Sequence, residues 1–489
     1  MNSETRSHPI VRAARGGVLS CKGWDQEAAL RMLMNSLDPE VAERPEEMIA
    51  CGTDSKPVAD WASYLAIAAA LKTLENDQTL VVRSGGAAGL MRTTSGAARV
   101  LISGDTSAAG WMYVGTQGAL PETHESFRAA AQRHFGGELG GRLVVSAGMA
   151  GLGGAQGLAA QMNGAAFLGI DADPARIKRR VKGGYCDVMV SSLDEALRIL
   201  KNAVRQRAAR SVGLLGNAAD VMTELAERGV VPDLLTDRTA AHDPLFGYWP
   251  QGMSLIEAAE MRRSNPDEAR RRSLDSIAAQ VRAMIAMQKL GAIVLDFGSG
   301  IFERAREAGV AELNFSPERG AARDDGRAPM RWIALSGEAA DIERIDSLVM
   351  EMFPGDENLG RFMGLAQKHV RTQGLPARVC EMRRADCGGF ALSVNDLVGR
   401  GELQGPIVVG RDFVDCGAGG AAAGEPVLAA GARVASAPAQ ATLQAAGGAA
   451  WAMIPERAVL EGAQPRMARA IVADGARETS ARIESAMSR

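Results

Sequence analysis

The chain has 489 residues, of which 46% are hydrophobic, and its formal net charge at pH 7 is −3. This length predicts about two to four domains with a sizeable core, and the small charge excludes the basic surface of a nucleic-acid-binding protein. The sequence has no apolar run long enough to span a membrane and no signal-peptide pattern, so we expect a cytoplasmic protein. Six cysteines without a CxxC pair, and five histidines without metal-ligand spacing, indicate reduced thiols and no metal site.

The N-terminal region mixes helical and strand patterns. Apolar periodicity predicts helices over 26–36 and 61–74. Short β-branched and apolar runs predict strands over 79–82 and 99–102. We therefore expect an α+β region before the central part of the chain.

Residues 142–177 are the most informative segment. They read as an apolar strand, a glycine-rich turn, a helix starting near Gly154, a second apolar strand and an acid. Gly151 and Gly153 allow a tight turn that approaches a pyrophosphate. Asp171, twenty residues after Gly151, is placed to accept the ribose hydroxyls of NAD. Gln156 occupies the place of the third glycine, and an ordinary βαβ turn without a ligand stays the alternative.

Two further strand ends carry polar groups. A strand over 212–215 breaks at Gly216 and Asn217, a helix over 218–228 follows, and a strand over 233–235 ends in a polar loop. Another strand, over 292–297, ends in the sequence GSG. Alternating strands and helices predict a parallel sheet with a ligand crevice at its carboxyl edge.

The C-terminal region is less regular. Strands are predicted over 332–335 and 406–409. The Ala/Gly-rich run over 417–450 has little periodicity, and the sequence leaves small-residue helices and a partly mobile segment both open.

The chain also resembles a known family along most of its length. The motifs YVGTQG, AGLGGAQGLAA, LLGNAADV, TDRTAAHDPLFGYWP, RWIALSG, QGLPARVC and GRGELQGPIVVGRD occur in the order found in urocanases (urocanate hydratases). The resemblance implies an α/β fold with a central Rossmann-like parallel-sheet NAD domain flanked by N- and C-terminal α+β regions. The expected domain bounds are 10–113, 114–323 and 324–489.

The resemblance implies unusual cofactor chemistry. Urocanases bind NAD⁺ tightly and use it as an electrophile, so that the substrate ring forms a covalent adduct with the nicotinamide. Water is then added 1,4 across the conjugated system and NAD⁺ is released unchanged, which makes the enzyme a hydro-lyase. The resemblance also implies a homodimer that acts on a small heteroaromatic acrylate.

Carried over by motif, the cofactor site has three groups of residues at strand ends. Asp171 is expected on a ribose and Arg176 near a phosphate or the adenine. Four of these residues have alternatives. Tyr248 and Trp249 would be core aromatics, His242 would be a capping or loop residue, and Arg176 would be a surface arginine. The cofactor residues are Gly151, Leu152, Gly153, Asp171, Arg176, Asn217, Ala218, Arg238, Thr239, Ala240, Ala241, His242, Tyr248, Trp249 and Phe297.

Three residues are predicted to act on the substrate. Cys380, in QGLPARVC, falls where the family has its active-site cysteine, and a small buried hydrophobe is the alternative. Arg331 is expected to hold the substrate carboxylate through paired hydrogen bonds, with a structural ion pair as the alternative. Asp415 occupies an acidic position of the family and is expected to act as general acid or base.

Departures from the family pattern concern the substrate. The family's DYG, RDH and RTH tyrosine and histidines are Phe297, Phe413 and Thr94 here, and the glutamine of TDQTSAH is Arg238. Loss of polar groups favours a ring that carries sulfur. The chain is similar to the thiourocanate and S-methyl-thiourocanate hydratase branch of the family, which implies S-methyl-thiourocanate or thiourocanate as the substrate, in ergothioneine-type degradation. Urocanate, another unsaturated heteroaromatic acid, a conventional dehydrogenase and a non-catalytic NAD-binding paralogue are the alternatives.

Overall fold

The computed structural model of the chain describes residues 8–52, 55–103, 110–311, 318–319, 326–413, 446–454 and 468–487. The strands in these ranges are β1 (Gln78–Arg83), β2 (Gly86–Arg92), β3 (Val100–Ser103), β4 (Leu143–Ala147), β5 (Ala166–Asp171), β6 (Val188–Val190), β7 (Arg210–Leu215), β8 (Leu234–Asp237), β9 (Ile293–Asp296), β10 (Glu318–Arg319), β11 (Arg327–Ala334), β12 (Ala377–Arg383), β13 (Ile407–Arg411), β14 (Trp451–Ile454) and β15 (Ala468–Ala473). The α-helices are α1 (Trp24–Ser36), α2 (Trp61–Thr73), α3 (Leu120–His134), α4 (Gln156–Met162), α5 (Pro174–Gly183), α6 (Leu193–Gln206), α7 (Ala218–Glu227), α8 (Leu255–Ser264), α9 (Pro266–Lys289), α10 (Ile301–Glu307), α11 (Ala339–Met352), α12 (Glu357–His369), α13 (Arg384–Gly399) and α14 (Arg477–Met487).

The chain divides into two compact units. The terminal unit comprises the described residues up to 118 and those from 326 onward, and the central unit comprises the described residues from 119 to 319. The regions that precede and follow the central unit in sequence therefore fold together.

The terminal unit is built on a mixed sheet. Its eight described strands have the order β12-β11-β13-β15-β14-β3-β1-β2. β3 pairs in parallel with both β1 and β14, which joins the N-terminal strands to the C-terminal ones. Trp111, Trp332 and Trp451 are fully buried in this unit. The predicted strands over 79–82 and 99–102 are confirmed as β1 and β3, whereas β2 has no apolar alternation and was not predicted.

The central unit is built on a parallel sheet, as predicted. Its seven described strands have the order β10-β9-β8-β4-β5-β7-β6 and all pair in parallel. Every residue of β5 is buried, which fits a strand covered on both faces. Helix α6 buries Leu193, Leu197 and Leu200, a spacing that places the three side chains on one face.

Two sequence predictions have a different outcome. Most of the Ala/Gly-rich run over 417–450 lies outside the described residues. Cys21, Cys186, Cys380 and Cys387 are free thiols, but Cys51 is disulfide-bonded, so the prediction of reduced thiols is wrong at Cys51. None of the described helices is long and apolar enough to span a membrane.

Candidate functional site

The carboxyl edge of the central sheet carries the predicted ligand-binding turns. β4 and β8 are neighbours in the sheet, but the chain continues from β4 to β5 on one side and from β8 to β9 on the other. Such a reversal opens a crevice outside the carboxyl ends of the two strands, where dinucleotides bind in open α/β sheets. The turns after β4, β5, β7, β8 and β9 therefore share one edge with this crevice.

Glycines build the turn after β4 and leave no room for side chains. Gly148 has a φ of +86°, and a Cβ on Gly153 would lie 2.2 Å from the carbonyl oxygen of Gly148. A Cβ on Gly148 would lie 2.5 Å from the carbonyl oxygen of Arg238, so the turn meets the loop after β8 backbone to backbone. Gly151 has a φ of +29°, and Leu152 is partly buried beside it. A glycine turn of this kind can present its main-chain N–H groups to an anionic ligand.

Asp171 holds this turn from the end of β5. Its Oδ2 accepts a 2.8 Å hydrogen bond from the Met149 N–H, and its Oδ1 accepts one of 2.9 Å from the Asp173 N–H. The Arg176 guanidinium lies beside the carboxylates of Asp171 and Asp173. Its Nη1 is 3.7 Å from Asp171 Oδ1, and its Nε is 3.7 Å from Asp173 Oδ2. A carboxylate has about four lone-pair positions, so Asp171 retains acceptor capacity for ribose hydroxyls.

The third glycine of the dinucleotide-binding pattern is displaced by one residue, from the position of Gln156 to Gly157. Gln156 is fully buried and its Nε2 donates a 2.8 Å hydrogen bond to the Ser146 hydroxyl on β4. A Cβ on the next residue, Gly157, would lie 2.5 Å from the carbonyl oxygen of Tyr185 and 3.4 Å from the Phe167 ring. Gly157 therefore allows the close helix–strand packing that the third glycine of a dinucleotide-binding turn provides.

A buried polar network orders the loop after β8. Asp237 accepts hydrogen bonds from the Thr239 N–H (3.1 Å), the Thr239 hydroxyl (2.7 Å) and the Gln280 side chain (2.8 Å). Burial raises the pKa of Asp237 to about 6, although these hydrogen bonds act in the opposite direction. The hydroxyl of Tyr248 donates to Gln280 Oε1 at 2.5 Å. Thr239 and Tyr248 thus fix the loop. Tyr248 is buried, as expected of a core aromatic.

Other predicted cofactor residues lie around the same loop. The Asn217 side chain caps α7 at the Ala219 N–H (2.9 Å) and donates to the Trp249 carbonyl (2.9 Å), and Ala218 is the first residue of α7. The Arg262 guanidinium lies 3.9 Å above the Trp249 ring.

The remaining loop positions hold the main chain in place. The His242 N–H donates to the Ser299 carbonyl at 2.9 Å, and its side chain is exposed, as the loop alternative predicts. A Cβ on Gly247 would lie 2.0 Å from the Ala240 carbonyl oxygen. Ala241 is fully buried. The loop therefore turns back tightly on itself beside the crevice.

Arg238 and Phe297 contact each other at the crevice. The guanidinium of Arg238 lies 4.1 Å from the centre of the Phe297 ring. Arg238 is only 8% exposed, and its Nε and Nη2 have no hydrogen-bond partner among the described residues. Burial lowers the pKa of Arg238 from its usual value.

Cys380 lies in the terminal unit, in the middle of β12 and opposite Met330 of β11. Its side chain is fully buried, and burial raises the pKa of the thiol well above its usual value. Cys380 is therefore a protonated thiol in this environment rather than a nucleophilic thiolate.

Arg331 is bound to the main chain of the terminal unit. Its Nη1 donates to the Met112 carbonyl and its Nη2 to the Phe413 carbonyl, both at 3.0 Å, and the residue is 1% exposed. These contacts anchor the guanidinium, and carboxylate binding by Arg331 stays a prediction. Asp415 lies outside the described residues. Arg411 and Asp412, just before the undescribed segment, form a 3.0 Å ion pair.

Comparison with protein families covers nearly the whole chain. Three family models match: "Urocanase N-terminal domain" over residues 11–123, "Urocanase Rossmann-like domain" over 115–318 and "Urocanase C-terminal domain" over 323–489. The chain belongs to the urocanase family. Membership indicates a hydro-lyase of the urocanate-hydratase type, and the Rossmann-like domain is consistent with NAD binding.

Two residues that support the candidate site were not predicted from the sequence. Arg180 on α5 is buried, and its Nε donates to the Met149 carbonyl at 2.8 Å, beneath the glycine-rich turn. Gln280 on α9 links Asp237 to Tyr248. Arg180 stands in the highly charged sequence IKRRVK, which gives no signal that this arginine, rather than a neighbour, points inward. In the described parts of the chain, no cluster of three or more His, Cys, Asp or Glu side chains is placed to hold a metal.

Proposed function

We propose that this protein adds water 1,4 across the conjugated system of a urocanate-like acid, with NAD⁺ as a cofactor that is not consumed. The substrate that we propose is S-methyl-thiourocanate or thiourocanate. The observation that carries the proposal is the glycine-rich turn held by Asp171 beside the reversal of strand order in the central sheet.

The residues at the crevice suit a dinucleotide. A Cβ at Gly153 would lie 2.2 Å from the Gly148 carbonyl oxygen, so glycine at this position allows a tight turn that can bring main-chain N–H groups close to a diphosphate. Asp171 is placed to accept ribose hydroxyls while it holds Met149, which couples the shape of the turn to the ribose position. Bound there, NAD⁺ would supply an electrophilic nicotinamide ring for the electron-rich ring of the substrate.

Three residues are proposed for the substrate chemistry. Cys380 is proposed to donate a proton or a hydrogen bond, because burial keeps its thiol protonated. Asp415 keeps its proposed role as general acid or base on the motif GRDFVDCG. Arg331 keeps its proposed role of binding the substrate carboxylate, and two of its nitrogens bind main-chain carbonyls that orient the guanidinium.

Two apolar side chains support a sulfur-bearing substrate. Phe297 and Phe413 stand where the family pattern has a tyrosine and a histidine, and both are buried, at 8% and 2% exposure. Replacement of hydroxyl and imidazole groups by phenyl rings removes hydrogen-bond donors. Sulfur is a weak acceptor with favourable contacts to aromatic rings, so a methylthio or thio group gains from this change.

The test is loss of the ultraviolet chromophore when the purified protein meets urocanate, thiourocanate and S-methyl-thiourocanate separately. Rapid loss with a sulfur-bearing acid and little with urocanate supports the specialised hydratase. Preference for urocanate would overturn the substrate assignment and leave a urocanate hydratase. No loss with any of the three would favour a non-catalytic NAD-binding paralogue. The homodimer implied by the family belongs to the proposal, and light scattering on the purified protein tests it.

A further inference from the structure

Arg238 is a buried cation with unused hydrogen-bond donors. The residue is 8% exposed, and Nε and Nη2 have no partner among the described residues. Both N–H groups lie along one edge of the planar guanidinium, the edge that pairs side-on with a carboxylate or phosphate. Buried donors of a charged group are rarely left unpaired, because their lost hydration is then uncompensated.

Aromatic side chains fix the plane of this guanidinium. The Arg238 guanidinium stacks 4.1 Å from the Phe297 ring centre, and Phe127 packs edge-on against Phe297 with ring centres 6.1 Å apart. Stacking orients a guanidinium without using its in-plane N–H groups. Arg238 and Phe297 both depart from the family pattern, which has glutamine and tyrosine at these places. The two departures therefore form one structural unit in this chain.

The backbone places this unit beside the glycine-rich turn. A Cβ on Gly153 would lie 3.1 Å from the Cβ of Arg238, and a Cβ on Gly148 would lie 2.5 Å from its carbonyl oxygen. The side chain of Arg238 thus leaves the main chain at the crevice between β4 and β8, where the strand order reverses.

Neighbouring carboxylates do not pair with this edge of the Arg238 guanidinium. Glu122 on α3, Asp296 at the end of β9 and Asp237 on β8 all favour the charged form of Arg238. Asp237 binds Thr239 and Gln280 instead, and no carboxylate of the described residues forms an ion pair with Arg238. The guanidinium stays cationic, as arginine does in proteins, and its Nε and Nη2 lack an acceptor among the described residues.

We infer that the ligand supplies this acceptor: Arg238, stacked on Phe297, forms a subsite that binds an oxyanion group side-on through Nε and Nη2. The group is a phosphate of the dinucleotide or the carboxylate of the acrylate substrate. The identity of these two sources rests on the proposed function, whereas the subsite itself rests on the geometry of Arg238.

The direct test compares Arg238→Gln and Arg238→Lys with the natural protein by isothermal titration. Arg263→Gln is the matched control, because the Arg263 side chain is 80% exposed on α8 of the same unit. The ligands are ADP-ribose, which carries the diphosphate without nicotinamide, the substrate acid, and the carboxamide of that acid. We expect Arg238→Gln to weaken one oxyanion ligand at least tenfold, Arg238→Lys to recover part of the loss, and Arg263→Gln to change nothing.

The ligands separate the two sources of the oxyanion. A loss confined to ADP-ribose assigns the subsite to a phosphate. A loss for the acid but not for its carboxamide assigns it to the carboxylate. Unchanged affinity for both ligands in Arg238→Gln would overturn the inference and leave the proposed function standing. If the natural protein binds neither NAD⁺ nor ADP-ribose, the proposed function fails, and inorganic phosphate serves as the probe of the subsite by the same comparison.

A stability measurement separates ligand binding from a structural role. Arg238→Met removes the unpaired charge but keeps an unbranched side chain, so the thermal midpoint of the ligand-free protein is expected to stay the same or rise. A lower midpoint together with unchanged ligand affinity would show that Arg238 serves the fold and would overturn the inference.

Discussion

The N–H of Met149 donates a 2.8 Å hydrogen bond to the carboxylate of Asp171, which ties the glycine-rich turn after β4 to the end of β5. One carboxylate thereby shapes the turn that we propose to bind the diphosphate, and the same carboxylate is proposed to accept the ribose hydroxyls. Cofactor affinity and local stability are expected to depend on the same residue.

Asp171→Ala is expected to weaken NAD⁺ binding more than tenfold, which equals about 1.4 kcal/mol. It is also expected to lower the free energy of unfolding by about 2–3 kcal/mol, because two main-chain N–H groups lose a charged acceptor. Equilibrium dialysis and urea unfolding measure the two effects. Asp194→Asn is the control, since Asp194 is 79% exposed and should change neither value. Full cofactor retention in Asp171→Ala would contradict the ribose assignment.

Gly153→Ala is expected to abolish cofactor binding, because the new methyl group would lie 2.2 Å from the Gly148 carbonyl oxygen and must displace the turn. Gly360→Ala is the matched control, since a Cβ at Gly360 in α12 has no neighbour within 4 Å. The control is expected to be neutral or stabilising by up to about 1 kcal/mol. Cofactor content of the purified variants measures the effect, and normal content in Gly153→Ala would rule out this turn as the diphosphate site.

Asp237 is expected to make stability depend on pH. Its pKa in the folded protein is raised to about 6 from 3.8, so the folded state binds more protons than the unfolded state between these values. The free energy of unfolding should therefore fall as pH rises from about 4 to about 6 and then level off, with a contribution of at most about 3 kcal/mol. Urea unfolding of the natural protein and of Asp237→Asn across this range isolates the effect as their difference. A difference that does not vary with pH would contradict the assignment.

Cys380→Ala is expected to abolish turnover while the fold persists, at a stability cost of about 1 kcal/mol for a small buried side chain. Cys387→Ala is the matched control, because Cys387 is equally buried in the same unit and carries no family role. Chromophore loss and thermal unfolding of both variants provide the measurements. Equal activity in the two variants would remove Cys380 from the mechanism.

Much of the central unit could be predicted from the sequence, because each buried strand of a parallel sheet appears there as a short apolar run. In this chain those runs end in glycines and acids. β7, α7, β8 and β9 lie within a few residues of their predicted bounds, and β4 and β5 are the two apolar strands predicted within residues 142–177. Asp171 and Gly153 were recognised because their spacing follows the backbone of a dinucleotide-binding turn. β2 was missed because it is largely exposed and pairs only at the edge of its sheet, where no apolar alternation is needed.

Side-chain partners were less predictable than strand ends. Sequence places Arg331 near an apolar strand, but only the fold shows that the carbonyls of Met112 and Phe413 bind it. The stacking of Arg238 on Phe297 joins residues almost sixty positions apart, which no local pattern indicates. Such contacts depend on the packing of several elements.

The central claim is that NAD⁺ takes part in the hydration without being consumed. The most direct measurement follows the substrate chromophore, the absorbance of reduced nicotinamide and the mass of the product in one reaction with S-methyl-thiourocanate. If NAD⁺ acts in this way, the chromophore disappears, the product gains one water, and the bound NAD⁺ is recovered unchanged. Accumulation of reduced nicotinamide with an oxidised product would contradict it and identify a dehydrogenase instead.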